Sequence, residues 1–293
     1  MGDNIILNSM ALTKIQSIII IMIIFTAVGC AAIYILIIND DEPPLSLTNT
    51  TVDLGSHKLQ AFTFINNSDY LVVFESGLGN THDVWQDQRI LKKLSGSTDI
   101  LLYDRAGYGG SESSTIPRGI SQLGDELSQV IDQVADGRKV ILVGHSLGGM
   151  IIRDYAIKNP EKTAAILFVD SSHEMYNNNL TQEEEDDIYE KTKASRGEFF
   201  GGTMEARELR ENVEYMSGLP NLPDVPIIAV TSMRLEPGQD QSNKQLWYDS
   251  KEAMREGVSD FTHITTTKSG HWIMLDEPDL VVDNIEVLLS KLP

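Results

Sequence analysis

Cysteine is almost absent from this chain of 293 residues. Cys30 is the single cysteine, so no disulfide can form within the chain. No cluster of cysteine and histidine has the spacing of a zinc site, and no calcium-type loop of the Asp-x-Asp kind is present. We therefore expect neither a metal ion nor another cofactor.

Positive charge is also scarce. The chain has 23 Lys and Arg against 43 Asp and Glu, for a formal net charge of −20. Asp3 and Lys14 cancel within residues 1–38, so the whole acidic excess belongs to residues 39–293. Such a surface repels nucleic acid and anionic lipid head groups. We expect no nucleic-acid partner.

The longest stretch without charge is residues 15–38. As a helix it would be roughly 36 Å long, which is enough to cross the hydrocarbon core of a bilayer. Lys14 precedes it and the acidic residues 40–42 follow it, which favours a cytoplasmic N-terminus. The pattern predicts a single-pass transmembrane helix that anchors the protein in the membrane, with the following domain on the extracytoplasmic side.

Two other interpretations of this stretch fit its length less well. The apolar core of a cleaved signal peptide is only about 7–15 residues long, which is shorter than this run. Ala27–Cys30 loosely resembles a bacterial lipoprotein cleavage site, but the apolar run continues to Ile38. An uncleaved anchor is favoured, with an N-terminal tail at residues 1–14 and a polar linker at residues 39–50.

Residues 51–293 alternate between short apolar runs and helical patterns. This alternation predicts an α/β fold, in which a mostly parallel central sheet carries helices on both faces. The predicted strands are residues 51–54, 59–65, 70–75, 99–103, 139–143, 164–169, 227–231 and 260–266. The predicted helices are residues 84–94, 121–134, 204–216, 245–255 and 280–289, with another that starts at Leu147.

Residues 174–222 interrupt the alternation. About fifty residues are too many for a plain connection between two strands. We interpret them as a helical lid over the strand ends, with a hinge at Gly201-Gly202. The acidic run at residues 183–187 is interpreted as a solvated helix start, where carboxylates favour the helix dipole.

The most informative residues lie where an apolar run ends in Gly144-His145-Ser146-Leu147-Gly148. A helical pattern follows, so the sequence predicts a strand, a sharp turn and a helix with Ser146 at the tip. The flanking glycines remove side chains that would clash in such a turn. The turn holds the serine hydroxyl out over the sheet edge, which is typical of a serine hydrolase.

Three further motifs accompany this turn. They are Glu75-Ser76-Gly77-Leu78-Gly79-Asn80, Asp104-Arg105-Ala106-Gly107-Tyr108-Gly109-Gly110-Ser111 and Ser269-Gly270-His271-Trp272. With the Ser146 turn they occur at the expected strand ends and in the family's order, so the chain over residues 50–293 resembles the α/β-hydrolase superfamily.

The resemblance implies roles for particular residues. Ser146 is the candidate nucleophile and His271, after the last strand, the candidate base. The oxyanion donors are implied to be the backbone N–H groups of Leu78 and Leu147. The Leu78 loop lacks the His-Gly-Gly pattern of many lipases. Residues 104–111 are expected to be a structural loop from which Arg105 could reach the substrate.

The acidic member of the triad has three candidates. Family members commonly carry it after the strand that follows the lid, where Glu236 and Asp240 are found. Other members carry it at the end of the strand before the lid, where Asp170 is found. Asp170 is favoured; its other interpretation is a carboxylate that caps a turn or a helix start.

These features predict a membrane-anchored serine hydrolase that cleaves small carboxylic esters through Ser146, His271 and Asp170. An amidase or aminopeptidase would use the same residues on another bond. A hydrolase-like binding protein without activity is the alternative from a different class. Epoxide hydrolases and haloalkane dehalogenases need an aspartate nucleophile, so Ser146 argues against both.

Overall fold

The computed structural model describes residues 43–235 and 239–293. These residues form an eight-stranded sheet with helices on both faces. Its strands are β1 (Thr48–Asp53), β2 (Lys58–Phe64), β3 (Tyr70–Glu75), β4 (Asp99–Tyr103), β5 (Lys139–His145), β6 (Thr163–Val169), β7 (Ile227–Ser232) and β8 (Phe261–Thr266). The order across the sheet is β1-β2-β4-β3-β5-β6-β7-β8. The pairs β1–β2 and β2–β4 are antiparallel, and all other neighbours are parallel.

The central strands are apolar throughout because both faces of the sheet are covered. In β5, Val140 and Leu142 belong to the hydrophobic core on one face, while Ile141 and Val143 belong to the core on the other. This alternation follows from the two-residue period of a strand. Because β3, β5, β6, β7 and β8 run parallel to one another, their carboxyl ends meet at one edge of the sheet.

Helices pack on both faces, as the sequence predicts. They are α1 (Gln88–Ser95), α2 (Ile120–Val134), α3 (Leu147–Lys158), α4 (Glu174–Asn177), α5 (Gln182–Arg196), α6 (Gly201–Glu205), α7 (Leu209–Ser217), α8 (Gln241–Glu252), α9 (Ile273–Asp276) and α10 (Pro278–Ser290), with 3₁₀ turns at His82–Trp85 and Ala253–Arg255. Apolar side chains of α2 and α3 fill one core, and those of α1 and α10 fill the other.

Helices α4 to α7 form the insertion between β6 and β7 that the sequence predicts as a lid. The side chain of Thr181 accepts the backbone N–H of Glu184, and the Glu184 side chain accepts the N–H of Thr181, which caps α5. The acidic run therefore starts a helix, as interpreted. The predicted hinge is instead closely packed, since a Cβ on Gly201 would lie 2.3 Å from the Tyr108 ring.

Some predicted boundaries were wrong. Strand β1 begins at Thr48, so the last residues of the predicted linker are strand, and the unit Leu45–Pro293 is compact. Helix α8 begins earlier than predicted because the Asp240 side chain accepts the N–H of Asn243 and caps it. The predicted anchor at residues 15–38 lies outside the described residues, and within residues 43–235 and 239–293 no helix has the length and apolarity needed to span a bilayer.

Candidate active site

The predicted strand–turn–helix at Ser146 is present. Ser146 joins β5 to α3 with φ 52° and ψ −124°, in the left-handed region that a residue with a side chain seldom adopts. Its carbonyl oxygen accepts the N–H groups of Gly149 and Ser172 at 3.0 and 2.9 Å, which hold the turn. The side chain is half-buried, at the edge of the sheet where the strands end.

The glycines around Ser146 are required by close approaches. A Cβ on Gly144 would lie 2.7 Å from the Gly148 carbonyl oxygen. A Cβ on Gly148 would lie 2.5 Å from the Glu75 carbonyl oxygen, and one on Gly77 would lie 3.0 Å from Ser146 Cβ. The turn thus packs directly against the loop after β3, which is the loop expected to supply an oxyanion donor.

The candidate base and the favoured acid are hydrogen-bonded to each other. Asp170 follows β6 and His271 follows β8, and the His271 Nδ1–H donates to Asp170 Oδ2 at 2.7 Å. Asp170 is 2% exposed and the His271 side chain is 38% exposed. One end of the imidazole is therefore fixed by a buried carboxylate while its other end remains accessible.

Both oxygens of Asp170 are occupied. Oδ1 accepts the backbone N–H of Ser232 at 2.9 Å and the indole N–H of Trp247 at 2.7 Å. Burial raises the pKa of Asp170, but the hydrogen bond and charge of His271, together with the Trp247 hydrogen bond, outweigh it and hold the pKa below its usual range. The carboxylate therefore stays ionised beside the imidazole.

Ser146, Asp170 and His271 line one cavity of about 380 Å³. Its other lining residues are Ser172, Tyr176, Asn177, Gln239, Lys244 and Trp247. A larger hollow of about 620 Å³ near Thr48 and Arg138 lies at the opposite ends of the parallel strands and lacks such a group of residues. In the described ranges, no three His, Cys, Asp or Glu side chains are grouped so that they could hold a metal ion.

The other two acid candidates are elsewhere or outside the described residues. Asp240 is exposed, caps α8, and accepts hydrogen bonds from Ser242 and Asn243. Glu236 lies outside the described residues. Of the described candidates, only Asp170 contacts His271. It accepts the Ser232 N–H from the neighbouring strand rather than capping a local turn.

The expected oxyanion donors are two backbone N–H groups beside Ser146. Leu147 is the first residue of α3, and Leu78 lies in the loop after β3. In the part of the chain that the structure describes, neither N–H donates to another group. The Gly77 carbonyl accepts the Arg105 Nη2–H at 3.0 Å, and in a trans peptide this turns the Leu78 N–H away from Arg105.

Arg105 forms a buried network that the sequence did not reveal. Its guanidinium is 3% exposed and donates to the Ser76 carbonyl, to Glu75 Oε1 at 2.7 Å and to both oxygens of Glu205 at 2.7 and 2.9 Å. Glu205 ends helix α6 of the insertion between β6 and β7, so one cation joins this insertion to the loop after β3. Arg105 does not line the cavity that holds Ser146, and its guanidinium is instead engaged in this network.

Tyr108 extends the same network. Its hydroxyl donates to Glu205 Oε2 at 2.6 Å and accepts the Gly79 N–H at 3.0 Å. Arg105 and Tyr108 therefore hold the loop on both sides of Leu78. Within the network, burial raises the pKa of Glu75 above its usual range, although the charge of Arg105 acts in the opposite direction.

His145 contacts His271, the candidate base, through both its ring and a hydrogen bond. Its Nε2–H donates to the carbonyl oxygen of His271 at 2.9 Å, and the two rings lie 4.5 Å apart. Burial, together with the charge of His271, lowers the pKa of His145 to about 3. The neutral imidazole packs under the base and fixes its backbone.

The chain belongs to the alpha/beta hydrolase family, whose model matches residues 72–284. Epoxide hydrolase A from Mycobacterium thermoresistibile has the same fold, with a TM-score of 0.66 over 85% of this chain and 99% of that one, at 15% identity. Since that identity is low, the likeness extends to the fold alone.

Curated relatives match over shorter segments. The pimeloyl-[acyl-carrier protein] methyl ester esterase of Proteus mirabilis is 30% identical over 116 residues, which is 40% of this chain and 41% of that protein. RutD of Azorhizobium caulinodans, which carries the name of a carbamate hydrolase, is 28% identical over 98 residues, or 33% of this chain and 36% of that protein. The chain thus matches less than half of each relative's length.

Replacing Arg105 by Met should destabilise the fold by about 3–5 kcal/mol, because Glu75 and Glu205 are left as buried carboxylates without their partner. Urea unfolding at pH 7 measures the change. The control is Arg89→Met, which removes an exposed ion pair with Asp87 and should leave the midpoint nearly unchanged. Equal midpoints for both variants would contradict the network's role.

Acid should destabilise the fold through its buried histidines. Burial lowers the pKa of His173 to about 4, while an unfolded histidine titrates near ~6.5. Between these values the unfolded chain binds the extra proton, so this contribution is present above about pH 6.5 and is lost as the pH falls towards 4.

His173→Asn should remove this dependence, because an Asn side chain can still accept the Met175 N–H at the start of α4. From pH 6.5 to 4 the wild type should lose about 1.4 kcal/mol per pH unit more than the variant. Urea unfolding across this range measures the difference. Parallel curves would show that His173 is protonated as readily in the folded state as in the unfolded chain.

Proposed function

We propose that this protein is a serine hydrolase that cleaves carboxylic esters through Ser146, His271 and Asp170. The observation that carries the proposal is that the strained Ser146 turn and the hydrogen-bonded His271–Asp170 pair line one cavity. A serine hydroxyl is a weak nucleophile until a base within reach takes its proton.

In the proposed reaction, His271 Nε2 takes the Ser146 proton as Oγ attacks the ester carbonyl carbon. The N–H groups of Leu78 and Leu147 stabilise the negative charge that develops on the carbonyl oxygen. His271 then gives its proton to the leaving alcohol, and the C–O bond breaks to leave an acyl-enzyme. Water, deprotonated by His271, releases the acid and restores Ser146.

Asp170 has a positioning and electrostatic role in this scheme. It holds the proton on His271 Nδ1, so that Nε2 is free to accept the proton of Ser146. Its lowered pKa keeps it ionised while the imidazolium forms. The bonds from Ser232 and Trp247 fix the orientation of the carboxylate.

The choice of an ester bond rests on the cavity and on one relative. The Proteus mirabilis relative is named as a methyl ester esterase, whereas RutD is named for a carbamate, so C–N cleavage remains the second candidate. An aminopeptidase needs a carboxylate for the substrate's amino group. Among the described lining residues Asp170 alone is acidic, and its oxygens are occupied.

The chain has the fold of an epoxide hydrolase, but we do not propose epoxide hydrolysis for it. That chemistry requires an aspartate nucleophile, and the corresponding turn of this chain carries Ser146. A binding protein without activity is the remaining alternative, and kinetics on a simple ester separates it from an enzyme.

Ser146→Ala and His271→Ala should each lower kcat on 4-nitrophenyl butyrate by about 10⁴- to 10⁶-fold, because each removes a group on which the chemical step depends. Asp170→Asn should lower it by roughly 10⁴-fold. Asp240→Asn is the matched control and should leave kcat unchanged. Steady-state kinetics, with unfolding curves to verify each fold, measures these effects.

Some outcomes would contradict the serine mechanism, and another would change the bond that we assign to it. A wild-type protein that does not hydrolyse the ester, or a Ser146→Ala variant as active as the wild type, would contradict a serine mechanism. Faster turnover of the matched anilide than of the ester would assign the triad to amide bonds.

We also propose that residues 15–38 anchor this domain to a membrane with the domain on the extracytoplasmic side. The support is the uncharged stretch and the preceding Lys14. The full chain should then remain in the membrane fraction after alkaline carbonate extraction, while residues 39–293 should be recovered in the supernatant. Recovery of the full chain in the supernatant would contradict the anchor.

A further inference from the structure

One face of helix α8 is directed at the candidate active site. Lys244, Trp247 and Lys251 are spaced so that they share a helix face. The Trp247 indole N–H donates to Asp170 at 2.7 Å, which fixes that face against the triad acid. Lys251 is fully buried behind it, with Nζ 3.0 Å from the centroid of the Trp247 ring.

Lys244 lies one turn before Trp247 and lines the same cavity as Ser146 and His271. It is 4% exposed, and its Nζ donates to the Ser232 carbonyl oxygen at 3.3 Å. An ammonium has three donors. Within residues 43–235 and 239–293, the Ser232 carbonyl oxygen is the only acceptor bonded to the Lys244 Nζ, and no carboxylate forms an ion pair with it.

A buried cation without an anion is costly, because desolvation is not offset by pairing. Asp170 does not supply the anion, since its two oxygens are bonded to Ser232, Trp247 and His271. The chain as a whole carries a net charge of −20, so its overall charge does not favour the approach of an anion. A negatively charged group in the cavity would have to be recognised by direct contact.

We propose that Lys244 binds a carboxylate carried by the ester substrate. This inference rests on the proposed function and specifies its substrate class: esters with a free carboxylate, either a half-ester of a dicarboxylic acid or an ester of a hydroxy-acid. A charge-assisted hydrogen bond from Lys244 would then hold the carboxylate while the ester carbonyl lies at Ser146.

The test compares two matched pairs of substrates. The acyl-side pair is mono-4-nitrophenyl suberate against 4-nitrophenyl octanoate. The alcohol-side pair is 4-butyryloxybenzoate against phenyl butyrate. For at least one pair, Lys244→Met should lower the kcat/KM ratio of anionic to neutral substrate by about 10- to 100-fold. The neutral substrate should change little.

Two variants make the comparison specific. Lys244→Arg keeps the positive charge and should retain most of the preference for the anionic substrate. Lys139→Met removes a lysine that is exposed at the start of β5, at the far end of the sheet, and should leave both ratios unchanged. Urea unfolding of each variant reports its fold.

The outcomes separate this inference from the proposed function. If the wild type hydrolyses the neutral esters in a Ser146-dependent way but neither ratio changes in Lys244→Met, the carboxylate site is wrong and the hydrolase proposal remains. If the wild type hydrolyses none of the four substrates, the ester-hydrolase proposal fails and the substrate class fails with it. If Lys244→Met fails to fold, Lys244→Gln takes its place, and an unchanged ratio for both pairs in that folded variant would overturn the inference.

Discussion

The arrangement of the candidate site depends on one buried carboxylate. Asp170 receives a backbone N–H from β7, an indole N–H from α8 and the His271 imidazole from the loop after β8. It thereby joins the ends of three neighbouring strands and one helix at a single point. Without this carboxylate, the His271 imidazole would lose the hydrogen bond that orients it. Trp247 would lose the hydrogen bond that fixes α8 against the site.

A second constraint acts on the other side of Ser146. The strained Ser146 turn is closely packed against the loop after β3. Arg105 and Tyr108 hold that loop through hydrogen bonds to Gly77 and Gly79. Because Arg105 also binds Glu205, the insertion between β6 and β7 and the loop after β3 share one buried ionic network. Arg105 therefore helps to hold both the insertion and the loop that carries Leu78 in place.

The sequence predicted the sheet well because its strands are continuous apolar runs buried on both faces. It predicted the Ser146 turn because Gly144 and Gly148 flank the serine. The sequence favours Asp170 as the acid but does not exclude Glu236 or Asp240, since pairing with His271 over about a hundred residues of chain has no local signature. The buried network of Arg105 and the contacts of Trp247 and Lys244 were missed for the same reason, because only the folded chain brings these groups together. Asp240 did carry a local signal, because an acid three residues before Asn243 is a typical helix cap.

The central claim is that the folded chain activates the Ser146 hydroxyl. Its most direct test is to treat the native domain with a fluorophosphonate and to locate the covalent adduct by peptide mass spectrometry. The account predicts one adduct, on Ser146, that disappears when the protein is unfolded before treatment or when His271 is replaced by Ala. A native protein without an adduct, or with the adduct on the neighbouring Ser171 or Ser172, would contradict it.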